Sequence, residues 1–135
     1  DVTVFGDVYG GSALGTVNNA ASDKTTVSLY NGTIRGGLYG GGYGPGGVAA
    51  NVNGAVEVKV FGGSVLCSES DPQGEAGSGS VFGCNNAGGA PQSTVKVDIY
   101  KTDAAPGEGQ YALHAVYGGG NKATVSGNTK VNIGN

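Results

Sequence analysis

The reactive side chains of this sequence are few and far apart. His114 is the only histidine and Arg35 is the only arginine. General acid–base catalysis needs reactive groups that converge within hydrogen-bond reach, and β-helix enzymes that cleave polysaccharides use several Asp, Lys or Arg residues on one face. Here the carboxylates lie mostly scattered in loops, and His114 stands in an alternating segment where a half-buried strand position is expected. The pattern predicts a protein that is not an enzyme.

Metal and phosphate sites find equally little support. Residues 41–46 repeat the glycines of calcium-binding β-rolls, but Pro45 stands where the repeat requires aspartate. Residues 118–122 are glycine-rich like a phosphate-binding loop, but they lack its full spacing and a following helix. We therefore predict no metal and no cofactor. One weak alternative is a calcium ion held in a loop by three carboxylates: Glu69, Asp71 and Glu75.

The two cysteines bracket a polar loop. A disulfide between Cys67 and Cys84 would close residues 68–83 and, by the chain-entropy argument, would stabilise the fold by roughly 3 kcal/mol. The alternative is that both are unpaired small residues. A zinc site would need more cysteines or histidines nearby than the chain has.

The composition excludes several broad classes. The 135 residues include 29 glycines but only four prolines, without the Gly-X-Y period of collagen. The β-branched residues are plentiful and the net charge is only −3, which argues against disorder. No apolar run reaches the roughly 18 residues of a membrane span. No basic cluster indicates a nucleic-acid partner.

Two independent markers recur with the same irregular period. An aliphatic–aromatic–glycine corner has its aromatic residue at Tyr9, Tyr39, Phe82 and Tyr117, with spacings of 30, 43 and 35 residues. An alternating strand ends at Leu29, Val60, Ile99 and Ile133, with spacings of 31, 39 and 34 residues. Two markers with one shared period are typical of a repeat architecture.

The markers predict an all-β, parallel β-solenoid of about four irregular coils with glycine-rich corners. Alternation in each strand buries one face, and glycine is expected to supply positive φ at the corners. We predict a single domain, residues 1–135. Its repeats are expected at about 25–54, 55–92 and 93–127, with a split repeat formed by 1–24 and 128–135.

This alignment predicts which outward side chains are neighbours on adjacent coils. It places Glu57 beside Lys96 and Lys59 beside Asp98, and both pairs are opposite in sign. Exposed pairs of this kind contribute little to stability, so their value is as a test of the register.

The larger insertions fall in one type of connection. They are the Cys67–Cys84 loop and the Thr102–Gln110 loop. Insertions confined to one connection project from one side of a solenoid, which is often the recognition side. The alternative is that both are tolerated surface loops without a ligand.

Neither end of the chain resembles a polar capping repeat. Apolar strand residues are expected at both edges: Val2, Val4 and Phe5 at one, Val131 and Ile133 at the other. The two ends together make one repeat, so we expect either head-to-tail stacking of a subunit or a segment cut from a longer tandem array.

The run from Val116 to Ile133 resembles tandem repeats of large, glycine-rich bacterial surface proteins that are regarded as adhesin-like. The resemblance continues in Leu38–Val60 and is degenerate around Cys67–Cys84. It implies secretion or a bacterial cell-surface location, a β-solenoid and no enzymatic activity, but no particular ligand. Together with the repeat that is split between the two ends, these features predict a structural subunit that stacks with further copies of itself into an extracellular filament or surface fibre. The alternative is an adhesin segment whose one-sided loops bind a surface glycan or a host protein.

Overall fold

The computed structural model describes residues 1–134 and is a parallel β-solenoid of four coils. Within those residues there is no α-helix, and one 3-10 turn lies at Pro45–Gly47. The first two coils contain β1 (Thr3–Val4), β2 (Val8–Tyr9), β3 (Lys24–Leu29), β4 (Thr33–Ile34), β5 (Leu38–Tyr39) and β6 (Ala55–Val60). The last two contain β7 (Ser64–Val65), β8 (Ser80–Phe82), β9 (Val95–Ile99), β10 (Ala115–Tyr117) and β11 (Thr129–Ile133). The predicted fold class is confirmed.

Each coil contributes one strand to each of three parallel sheets. The sheets run β1–β4–β7, β2–β5–β8–β10 and β3–β6–β9–β11, always in the order of the coils. A parallel bridge from Val65 to Leu113 continues the first sheet into the fourth coil. Neighbouring strands of one sheet are therefore 30 to 43 residues apart in sequence, as the repeat period predicts.

The register of the longest sheet matches the sequence alignment without a slip. Leu29 pairs with Val60, Val60 with Ile99, and Ile99 with Ile133. The corner aromatics align in the same way in the neighbouring sheet. Of the predicted segment 128–135, the last residue, Asn135, lies outside the described residues.

The core is built from the inward residues of the inner coils. In β6, Val56, Val58 and Val60 are buried and alternate with partly exposed residues. Val27 and Leu29 occupy the corresponding positions in β3 but are only half-buried, because a coil covers them from one side alone. Burial thus falls off at the first coil although its sequence pattern is the same.

The corner glycines serve a purpose that differs from the predicted one. Gly10, Gly40, Gly83 and Gly118 follow the four corner aromatics, and none has a positive φ. A Cβ at Gly40 would lie 2.7 Å from methyl groups of both Val56 and Val58. These glycines let the corner pack directly on the valines of the longest sheet, and positive φ occurs instead at turn glycines such as Gly32 and Gly63.

Aromatic rings stack in two ladders parallel to the direction in which the coils stack. The corner ladder has ring centroids 4.7 to 5.0 Å apart and contains Tyr9, Tyr39, Phe82 and Tyr117. The second ladder follows the longest sheet, has centroids 4.9 Å apart, and contains Tyr30, Phe61 and Tyr100. Both spacings match the distance between neighbouring strands, so the coil repeat itself sets the stacking.

Candidate functional site

The outer edge of the first coil is open. Within residues 1–134, β1, β2 and β3 each pair with a strand on one side only. An apolar hollow of about 160 Å³ opens at this end between Val4, Val8, Val27 and Leu29. Nearby, Phe5 is 83% exposed. This surface is hereafter called the first-coil face, and it presents the solenoid core to whatever covers it.

The outer edge of the last coil is open in the same way. Ile133 is 71% exposed, and Val125 and Val131 of the same coil are also exposed. In β11, the N–H of Gly134 donates to Ile99 and the carbonyl of Asn128 accepts from Val95. Because alternate residues of a parallel strand bond to opposite sides, Val131 and Ile133 direct their N–H groups away from β9. We call this surface the last-coil face.

The outward charges of the longest sheet lie where the alignment puts them. Glu57 is paired in register with Lys96, and Lys59 with Asp98. The ion pairs, however, form mainly along a strand: Lys59 lies 3.2 Å from Glu57, and Lys96 lies 3.3 Å from Asp98. Lys24 reaches across from the first coil to Glu57 at 2.8 Å. The predicted neighbours are therefore in register, but Glu57 with Lys96 and Lys59 with Asp98 are not the pairs that form salt bridges.

Among these charged residues of the longest sheet, Asp98 is buried, with only 3% of its surface exposed. Its Oδ1 accepts a 2.7 Å hydrogen bond from Asn132, and the Lys96 ammonium lies beside Oδ2 without hydrogen-bond geometry. Burial raises the pKa of this carboxyl, but Asn132 and Lys96 lower it by more, so the pKa lies below its ordinary value of 3.8. Asp98 thus ties the third coil to the fourth in its charged form.

Replacing Asp98 should lower the stability of the fold by an amount that depends on pH. We expect Asp98→Asn to lower the free energy of unfolding by about 1–2 kcal/mol at pH 7. A carboxyl whose pKa is depressed in the folded state stabilises the fold above its unfolded pKa, and this stabilisation is lost as the pH falls through the folded pKa. The deficit should therefore be smaller at about pH 3 than at pH 7. Urea unfolding at both pH values measures it. Glu108→Gln, at an exposed loop carboxylate, should change stability by less than about 0.5 kcal/mol, and an equal Asp98→Asn deficit at both pH values would contradict the assignment.

The predicted disulfide is absent, and the two thiols contact different groups of the protein. Cys84 is fully buried in the core and its Sγ donates to the carbonyl of Gly118. Burial raises the pKa of the Cys84 thiol to about 11, so it is not a reactive group at neutral pH. Cys67 lies in the first insertion, with its Sγ 3.1 Å from the hydroxyl of Tyr111. The alternative of two unpaired cysteines describes this structure.

The two insertions meet at one groove of about 410 Å³. The first insertion contributes Ser68, Glu69 and Pro72, and the second contributes Pro106 and Gln110. We call this feature the insertion groove. Its walls come from the two predicted one-sided loops, which the sequence placed in the same type of connection.

The first insertion is held in place by one carboxylate. The Asp71 side chain accepts hydrogen bonds from the N–H groups of Ala76 and Ser78, both 3.0 Å long. Burial raises the pKa of Asp71, but these and other hydrogen bonds lower it by more. Asp71 therefore has a structural role in the loop, and among the described residues no three His, Cys, Asp or Glu side chains are grouped to hold a metal ion.

Two groove residues were not identified from the sequence as site residues. Arg35 follows β4 and Tyr111 precedes β10. The two residues are 76 positions apart in the sequence, yet both line the groove. The available signals were that Arg35 is the only arginine and that Tyr111 directly follows an insertion. His114, expected to be half-buried, is exposed and packs against the ring of Tyr111 with centroids 4.9 Å apart.

Comparisons of the chain with protein-family models, with curated proteins and with solved structures each give no match. In the part of the chain that the structure describes, no helix has the length and apolar character needed to cross a membrane.

Proposed function

We propose that this protein is a non-catalytic structural subunit that stacks head to tail with further copies of itself into a filament or surface fibre. The observation that carries the proposal is the correspondence between the first-coil and last-coil faces. Val131 pairs in register with Val97, Val97 with Val58, and Val58 with Val27. A last-coil face placed on the first-coil face of another copy would continue this column as a further parallel pair.

The two faces complement each other in apolar contacts and in charge. In the continued register, Ile133 covers the open hollow next to Leu29 of the second copy, and the column of corner aromatics continues from Tyr117 to Tyr9. The outward neighbours become Lys130 beside Thr26 and Asn132 beside Ser28. No like charges are opposed, and the exposed N–H groups of β11 find a strand edge. A head-to-tail contact of this kind does not close, so it extends without limit.

The proposed setting is extracellular or on a bacterial cell surface. It is supported by the resemblance of residues 116–133 to adhesin-like surface repeats. The scarcity of reactive groups supports a role without catalysis. The proposed location and the proposed absence of catalysis do not depend on the stacking proposal. Location, lack of catalysis and stacking can therefore be tested separately.

Electron microscopy of the purified chain tests the stacking directly. We expect unbranched filaments whose axial rise per subunit is about 19 Å, four strand spacings. Ile133→Lys should leave the chain monomeric in sedimentation experiments, because each contact would have to bury an unpaired ammonium group. Val48→Lys is the matched control, since Val48 is also an exposed aliphatic residue but lies in a loop.

The outcomes separate stacking from other association. Filaments with the expected rise that are lost in Ile133→Lys and kept in Val48→Lys support the proposal. A wild-type chain that stays monomeric at high concentration contradicts it, as does assembly that Ile133→Lys leaves unchanged. A monomeric chain would mean that a second copy is not what covers the two faces.

The insertion groove favours a second candidate function. A solenoid that presents one concave site between two loops suits a surface protein that binds a glycan or a host protein. The observation behind it is that both insertions line the same groove. Tolerated loops without a ligand have no need to converge, so we propose ligand binding as the second candidate.

A further inference from the structure

We propose that the insertion groove binds a saccharide that carries a carboxylate group, with Arg35 as its anion-binding residue and Tyr111 as its ring platform. The inference rests on the second candidate function and gives it a ligand class. It can be tested separately from head-to-tail stacking, because the lining of the groove includes no residue of β1, β2, β3 or β11.

Arg35 supplies the positive charge of the groove. Its side chain is half-buried, and its guanidinium donates one 3.3 Å hydrogen bond to the carbonyl of Cys67. Among residues 1–134 it forms no ion pair with a carboxylate. A guanidinium has five donors in a planar fork that matches a carboxylate, so most of its capacity remains for a ligand.

The nearby carboxylates do not take the place of that ligand. Asp7 and Asp71 line an adjoining hollow to which Arg35 also contributes. Asp7 already accepts hydrogen bonds from Gly37 and Tyr9, and Asp71 accepts from backbone N–H groups of its own loop. Glu69 lies in the exposed wall of the insertion groove, where it can accept hydrogen bonds from ligand hydroxyl groups.

Tyr111 provides a flat apolar surface with a fixed orientation. Its hydroxyl contacts the Sγ of Cys67 at 3.1 Å, and His114 packs against its ring. Held at both places, the ring remains partly exposed in the groove. The C–H face of a pyranose ring is apolar and packs on such a surface while its hydroxyl groups reach the surrounding polar side chains.

The lining favours a sugar over a peptide. Besides Tyr111, the groove is lined by three side chains with planar hydrogen-bonding groups, those of Arg35, Glu69 and Gln110. Peptides are bound at exposed strand edges or through deep apolar pockets, whereas Leu66 is the groove's one aliphatic residue outside its prolines. The groove volume of about 410 Å³ also lies within the roughly 300–1,000 Å³ of small-ligand sites.

Titration calorimetry on the monomeric Ile133→Lys protein tests this without interference from assembly. The probes are digalacturonic acid, the neutral galactobiose of the same linkage, and the peptide tri-alanine. We expect digalacturonic acid to bind more tightly than galactobiose, and Arg35→Gln to weaken its binding by about tenfold or more. Tyr111→Ala should weaken both sugars. Lys122→Gln, which removes a charge outside the groove, should leave all affinities unchanged within about twofold.

Each outcome decides one part of the inference. Equal binding of both sugars, or binding that Arg35→Gln leaves unchanged, overturns the carboxylate assignment and keeps the second candidate function. Binding of tri-alanine in preference to the sugars overturns the saccharide class. No binding of any probe overturns the inference, while filament formation remains a separate result. Thermal unfolding of each variant shows whether a loss of binding is a loss of fold, and Arg35→Lys, which keeps the charge but not the fork, should retain part of the affinity.

Discussion

Gly40→Ala should lower the free energy of unfolding by about 3 kcal/mol, equivalent to roughly 10 °C in the melting temperature. The added methyl group would lie 2.7 Å from Cγ1 of Val56 and from Cγ2 of Val58, and closer still to the carbonyl oxygen of Gly83. Both valines are fully buried in a core that cannot yield by the required distance. Because the contacted groups belong to the second and third coils, the displacement separates adjacent coils rather than disturbing one turn.

Gly6→Ala is the matched control for this substitution. A Cβ at Gly6 would meet no heavy atom within 4 Å, and neither glycine has a positive φ. The control should therefore be neutral or slightly stabilising, because alanine restricts the unfolded chain. Chemical denaturation and circular dichroism of both variants provide the comparison. If Gly40→Ala were as stable as Gly6→Ala, close packing would not explain the glycine corner.

The glycine corner shows where reasoning from sequence succeeds and where it ends. The fixed place of glycine after each corner aromatic was visible, and with the alternating strands it was enough to predict the solenoid and its register. The reason for glycine was not visible, because the valines that exclude a Cβ come 12 or more residues later in the chain. Only the winding of the coil places Gly40 against Val56.

The insertion groove shows the same limit more strongly. The two insertions and their shared connection type could be predicted from spacing alone. Arg35 and Tyr111 could not be assigned to one site, since each belongs to a different coil and neither has a motif around it. The pairing of Cys67 with Tyr111 in place of Cys84 is likewise a result of how the loop folds back.

Asn85 is a buried polar residue whose importance the sequence did not indicate. Its side chain is fully buried and makes three hydrogen bonds. Oδ1 accepts from the N–H of Gly42 at 2.9 Å, and Nδ2 donates to the carbonyls of Ala50 and Gly88 at 2.7 and 2.8 Å. One donor and two acceptors surround it, which fixes the orientation of the amide and joins the second coil to the third.

Asn85→Asp should therefore destabilise the protein by more than about 3 kcal/mol at pH 7. The carboxylate oxygen that replaces Nδ2 would face the carbonyls of Ala50 and Gly88 with no proton between them. The repulsion raises the folded-state pKa of the introduced carboxyl above its unfolded value of about 3.9. As the pH falls through that raised value, the carboxyl takes up a proton and donates it to one of the carbonyls, so the deficit relative to wild type should shrink toward pH 4.

Asn128→Asp, the same change at an exposed residue, controls for the added charge. It should cost less than about 0.5 kcal/mol and show no recovery on acidification. Urea unfolding of the three proteins between pH 4 and pH 7 measures both slopes. The direction of the pH dependence is decisive. Asp98 stabilises the wild-type protein in its charged form. A carboxyl group in place of the Asn85 amide, in contrast, would be tolerated better when it is neutral. A deficit in Asn85→Asp that grew on acidification would mean that this amide does not face two carbonyl oxygens.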